Sequence, residues 1–163
     1  MTNYLKMVRR LAEVGWTVER LSRKRALPMS VVARYPSMPL NYRQFAESFG
    51  NVSSPGDRAW LVTSEVFCGS GSAFAWNEWE LQSLAAAGDD RTLVDRIGQF
   101  WDRHLPVVMS VKSGYAHFSL DLETMTVVQG EEPEYEDVSR VASSVDDLFQ
   151  SMAARDPKLT PWL

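Results

Sequence analysis

The sequence predicts an α+β fold, with helices at the N-terminus, a central mainly antiparallel sheet built as a meander, and a C-terminal helix packed on that sheet. Three observations predict it. Apolar residues recur at helical spacing over 4–13, 42–49 and 93–101, and then alternate with a period of 2 beyond Pro106. Ser144 and Asp147 form a capping pair ahead of a last helical stripe. Helices first, strands next and a closing helix last is the α+β pattern. The chain has 163 residues, 45% of them apolar and 23% charged, which suits a single domain, 1–163, with its own core.

In the first helix Tyr4, Leu5, Val8, Leu11 and Ala12 share one face, Lys6, Arg9 and Arg10 fall off it, and Gly15 stops it. A second, strongly basic helical stretch is expected from Val18 to Arg25. Pro28, Pro36 and Pro39 then allow helix only in short pieces. Asn41 with Gln44 caps a stripe of Tyr42, Phe45, Ala46 and Phe49, closed by Gly50. Residues 51–58 read as a loop and 59–63 as a strand. The run Gly69-Ser70-Gly71-Ser72 reads as a flexible joint. Asn77 and Glu80 open a short helix with Trp79, Leu81 and Leu84, which Gly88 breaks. Asp89 or Asp90 caps the next helix, bearing Leu93, Val94, Ile97, Phe100 and Trp101 and ended by Pro106 near Leu105.

Residues 107–111 form a buried type of strand, and Lys112-Ser113-Gly114 is a hairpin turn. Residues 115–122 alternate, with Ala116, Phe118, Leu120 and Leu122 on one face and Tyr115, His117, Ser119 and Asp121 on the other. A third strand covers 126–128. An acidic loop follows, in which Glu131, Glu132, Glu134, Glu136 and Asp137 surround Pro133 and Tyr135. Residues 138–142 suit an edge strand, and a helix over 145–154 turns Val145, Leu148, Phe149 and Met152 inward. The strands near 59–63, 106–111, 115–121 and 126–129 should share one sheet. Tyr42, Phe45, Phe49, Phe118, Leu120, Leu148 and Phe149 should be buried.

Sequence-evident chemistry is sparse. A nucleophilic Cys68 would need a base, and His117 with Asp121 is the available pair. Positions i and i+4 of a strand lie roughly 13 Å apart, so no triad is evident, and Cys68 reads as a buried, inert thiol. The Gly-Ser-Gly-Ser run lacks the lysine ending of a phosphate loop. His104 and His117 are the only histidines, which leaves no zinc ligand set, and the acidic loop lacks the spacing of a calcium loop. No metal and no cofactor are expected. No apolar run approaches the roughly 20 residues of a membrane span. The N-terminal stretch does not read as a secretory signal, so the expected address is cytoplasmic. The net charge of −4 hides a polarity: residues 1–43 hold nine Lys and Arg against two acids, the remainder eight against nineteen. Either the two segments pack and partly neutralise each other, or the acidic part meets a basic partner.

Three features in order resemble the SUKH superfamily, which includes the yeast Smi/Knr cell-wall-synthesis regulator and bacterial immunity proteins. The first is Pro39-Leu40-Asn41-Tyr42-Arg43-Gln44-Phe45 closing at Phe49-Gly50. The second is Leu105-Pro106-Val107-Val108-Met109, then Gly114-Tyr115, Leu120-Asp121-Leu122 and Val127-Val128. The turn Glu123-Thr124-Met125 within it lacks the glycine often seen there. The third is Val141-Ala142-Ser143-Ser144 running into Val145-Asp146-Asp147-Leu148-Phe149. The resemblance spans about two thirds of the chain. It implies an α+β fold, no catalytic residues and no cofactor. It also implies a role in binding and neutralising a toxin, often a nuclease, delivered between competing bacteria.

An inhibitor of a basic nuclease gains association rate from a carboxylate-rich surface. The expected surface is Glu131, Glu132, Glu134, Glu136 and Asp137, exposed and mobile, with Tyr135 as its aromatic anchor. The hairpin face around Tyr115 and His117 is the second choice. Two other readings stay open: a small enzyme using Cys68 and His117, and a nucleic-acid-binding adaptor through Arg20, Arg23, Lys24 and Arg25.

Overall fold

The computed structural model describes residues 1–69 and 73–163, and its strands form one antiparallel sheet in chain order. Among the described residues these are β1 (Thr17–Arg20), β2 (Phe49–Ser53), β3 (Ala59–Leu61), β4 (His104–Ser110), β5 (Ala116–Asp121), β6 (Val127–Glu131) and β7 (Ser139–Ala142). Helix α1 (Asn3–Glu13) precedes β1, while α2 (Met29–Arg34) and α3 (Leu40–Ser48) lie between β1 and β2. Three more, α4 (Ser64–Phe67), α5 (Glu78–Ala87) and α6 (Arg91–Arg103), separate β3 from β4. The last, α7 (Val145–Ala154), follows β7. This is the expected α+β meander with a terminal helix on the sheet, and all seven residues expected in the core are buried.

The central hairpin is set by local chemistry. Gly114 turns it at φ 100°, a conformation that glycine adopts without a Cβ clash. Pro106 offers no N–H to the ladder, and the β4–β5 register shifts between Pro106 and Val108, as a proline inside a sheet requires. After β5, Met125 takes φ 60°, a left-handed conformation that few residues with a side chain adopt. Every position of β4 and β5 is buried, so the sheet is covered on both faces. On one side Trp101 of α6 lies 4.8 Å from the His117 ring, and Trp79 Nε1 of α5 donates to the Ala116 carbonyl at 3.1 Å. Elsewhere α1, α3 and α7 interlock through Tyr4, Phe45 and Phe149, with ring centres 6.2 and 5.5 Å apart. The C-terminal Trp162 meets Phe118 edge-on at 5.6 Å.

Several expectations are corrected. The basic stretch from Val18 to Arg25 is not a helix: residues 17–20 form β1, paired with β2. Its alternation turns half-buried Val18 one way and exposed Glu19 the other, which a strand satisfies. Gly50 does not close α3 but lies inside β2, where an added Cβ would come within 3.2 Å of the Glu19 and Leu21 side chains. The helix starts after Pro39, and Asn41 Oδ1 accepts from the neighbouring Tyr42 N–H, making no capping box. Asn77 makes no capping bond either. By contrast Asp90 accepts from Leu93 N, and Ser144 accepts from Asp147 N at 3.0 Å. Ser70, Gly71 and Ser72 of the expected joint lie outside the described residues.

Candidate partner interface

Residues 131–137 leave β6 and return to β7. Glu131, Glu132, Glu134 and Asp137 are exposed, Glu136 is half-buried, and Tyr135 is only 3% exposed. The loop is tied down at three points. Glu132 pairs with Tyr115 twice, its N–H donating to the Tyr115 carbonyl at 2.8 Å and its Oε1 accepting from Tyr115 N at 3.1 Å. Trp101 Nε1 donates to Glu136 Oε1 at 2.7 Å. Tyr135 stacks on Trp79 at 5.5 Å, and its hydroxyl donates to Gln82 Oε1 at 2.9 Å. The expected mobile loop is therefore a pinned one, and Tyr135 anchors it inward to α5 instead of facing a partner. A tyrosine ring that stacks on tryptophan and still bonds its hydroxyl satisfies both its apolar and its polar end.

His117 is likewise not at the surface. It is 1% exposed, with Nε2 2.8 Å from the Tyr135 carbonyl and Nδ1 2.8 Å from Ser119 Oγ. A carbonyl only accepts, so the network assigns the proton to Nε2 and leaves Nδ1 to accept from the Ser119 hydroxyl. Burial pushes its pKa down to about 4, so the ring is neutral near pH 7. The close approach depends on Gly130: a Cβ there would overlap the Tyr135 carbonyl oxygen and lie 2.6 Å from His117 Nε2. His117 is buried because β5, although it alternates in sequence, has no solvent face: all six of its residues are buried.

The other end of β5 carries a second polar group. Arg103 donates to both Asp121 oxygens at 2.7 and 2.6 Å, and the Glu123 N–H donates to Asp121 Oδ1 at 2.9 Å. Burial would raise the Asp121 pKa, but the Arg103 guanidinium and the loop N–H hold it well below the usual carboxylate range. His104 stacks on Phe100 at 3.9 Å and places Nδ1 2.7 Å from the Phe100 carbonyl; burial lowers its pKa. These groups join the end of α6 to the hairpin.

Cys68 is exposed, at the end of the four-residue helix α4, and not buried as expected. Arg25 stands beside it and bonds Glu65 Oε1 at 2.9 Å. His117, the base expected for it, has both ring nitrogens engaged elsewhere. Arg20, Arg23, Lys24 and Arg25 are all exposed. Among the described residues no group of three His, Cys, Asp or Glu is arranged to hold a metal ion. Among them, no helix is long and apolar enough to cross a membrane.

Residues 74–79, which follow the expected joint, belong to a continuous aromatic run that the sequence pattern alone does not reveal. Trp60 stacks on Phe74 (5.8 Å), Phe74 meets Tyr115 edge-on (5.5 Å), and Tyr115 stacks on Trp79 (4.7 Å), which carries Tyr135. Trp60, Phe74 and Tyr115 are only half-buried. The density of aromatics in Phe-Ala-Trp-Asn-Glu-Trp was the available signal. Beside Tyr115 the acidic rim continues to Glu131, whose Oε2 accepts from Trp162 Nε1 at 3.3 Å. No protein-family model matches the chain, and no curated protein or solved structure matches it.

Proposed function

We propose that the chain is a non-catalytic binding protein of SUKH type, an immunity protein that neutralises a cognate toxin in the cytoplasm by forming a stoichiometric complex. The carrying observation is the carboxylate rim: Glu131, Glu132, Glu134 and Asp137 are exposed on a loop that Glu132 ties to half-buried Tyr115 and Glu136 ties to Trp101. A pinned rim loses little freedom on binding, so its charge attracts a basic partner without a large ordering cost. A toxin that grips phosphate must itself be basic, and a nuclease fits. The order of motifs that resembles the SUKH superfamily supports the same reading. An enzyme built on Cys68 and His117 finds no support, because the imidazole is sealed behind Ser119 and Tyr135.

The test is to take the genes that flank this one, look among them for a toxin with a basic nuclease domain, and co-express that domain with this chain. Growth should return, and the purified pair should run as a one-to-one complex; the absence of any complex overturns the reading. In the complex, changing Glu131→Gln, Glu134→Gln and Asp137→Asn together should slow association at low salt. The difference should shrink as salt is added. Equal association rates at low salt would remove the loop from the interface.

A further inference from the structure

We infer that an aromatic groove at the β1–β3 end of the sheet receives an arginine side chain of the bound partner. The inference rests on the binding reading above and adds a contact made of other residues. The groove has a volume of about 440 Å³, enough for one long side chain, and Trp60, Phe74 and Val66 supply its apolar wall. The Trp60 and Phe74 rings are half-buried and stacked within 18° of parallel. Each is a planar aromatic ring of the kind on which a guanidinium packs.

Among the described residues, the charged side chains that line the groove are Glu19 from β1, Asp57 from the β2–β3 turn and Glu65 from α4, and of these Glu65 is paired with Arg25 while Glu19 and Asp57 form no ion pair with a described residue. Glu65 already holds a guanidinium, that of Arg25 at 2.9 Å, so the chain's own packing places this chemistry at the rim. Asp57 is fixed in position. Its backbone lies at φ 54°, and Ser53 Oγ donates to its Oδ1 at 2.8 Å. Stacking planes with carboxylates beside them complement arginine better than lysine, whose compact ammonium gains less from a flat wall.

The probe is N-acetyl-arginine methylamide, with the neutral isostere N-acetyl-citrulline methylamide beside it. The readout is the Trp60 indole resonance in a nitrogen–proton correlation spectrum, assigned with Trp60→Phe. The arginine compound should move that resonance saturably and the citrulline compound should not. Glu19→Gln combined with Asp57→Asn should weaken the response at least five-fold. Asparagine tolerates a positive φ and keeps an oxygen for Ser53, so the fold is retained, which the rest of the spectrum reports. No saturable shift, an equal response to citrulline, or an unaltered response in the double variant overturns the inference. The same double variant, titrated against the toxin domain, separates the two proposals. An unchanged affinity rejects the groove and leaves the binding reading standing, whereas if no complex forms the binding reading fails and the arginine titration still decides the groove.

Discussion

His117 joins β5 to the loop through the Tyr135 carbonyl, and its pKa near 4 makes that join sensitive to acid. Burial favours the neutral ring. An unfolded chain therefore takes up the proton near pH 6.5, while the folded chain resists until about pH 4. Stability from this group is complete above pH 6.5 and falls between there and pH 4, by about 3 kcal/mol in total. His104, lowered in the same direction, adds to the decline. Asp121 acts in a more acidic window: its contribution is present above the ordinary carboxylate range and is lost below it. Denaturant unfolding at pH 7, 5.5 and 4.5 should show this decline in the wild type and a flatter profile in His117→Gln. An equally steep profile in the variant would assign the decline to another group. Gly130→Ala tests the same join sterically. The new methyl must displace the Tyr135 carbonyl, at a cost of about 2–3 kcal/mol. Amide exchange over residues 131–137 should speed up with it; wild-type protection there would show that the loop is held by its other anchors.

At the scale of elements, the acidic loop divides into structural and exposed carboxylates. Glu136→Leu leaves the N–H of buried Trp101 without its acceptor and should cost about 1–3 kcal/mol. Glu134→Gln with Asp137→Asn should change stability by less than about 0.5 kcal/mol in the same melts. If both variants melted alike, the Trp101 bond would hold nothing. That division was invisible in the sequence, because seven residues with five carboxylates look solvated throughout, and only the partner Trp101, thirty-five positions away, separates Glu136 from its neighbours. Helix α7 was legible to its boundaries, since Ser144 bonds Asp147 N and Asp147 accepts in return from Ser143 N and Oγ, all within the local sequence. The hairpin was legible for a similar reason, Gly114 standing between two runs of strand residues. β1 was not, because as an edge strand only four residues long it buries no side chain fully and carries charge on two of its four residues. The burial of His117 had a readable sign after all: the run His-Leu-Pro-Val-Val-Met-Ser of β4 does not alternate, and such a run belongs to a sheet covered on both faces.

Across the whole molecule, the charge polarity of the sequence is partly resolved inside the fold. Arg34 of α2 reaches Glu80 of α5 through two bonds, 2.9 and 2.7 Å, and Asp102 of α6 through a third of 3.0 Å. Arg25 and Glu65 do the same on a smaller scale. Arg34→Met alone leaves Glu80, 7% exposed, without its cation and should cost about 3 kcal/mol. Adding Glu80→Met should recover most of that loss by thermal unfolding; a double variant as unstable as the single would mean that the pair contributes shape and not charge. The same scale holds the contact between α1 and α7, the first and last helices described. The sheet's hairpins each pair a strand with the one made just before it, so they can close as the chain leaves the ribosome. Met7, Val8 and Leu11 of α1 are made before any strand of the sheet, yet α7, which packs on that helix, is made after all of them. Through most of synthesis this apolar stripe lacks part of its cover, so the interval before residues 145–154 emerge is when the nascent chain most needs protection from its neighbours. Nascent chains halted at residue 143 should accordingly bind a hydrophobic dye more strongly than released ones.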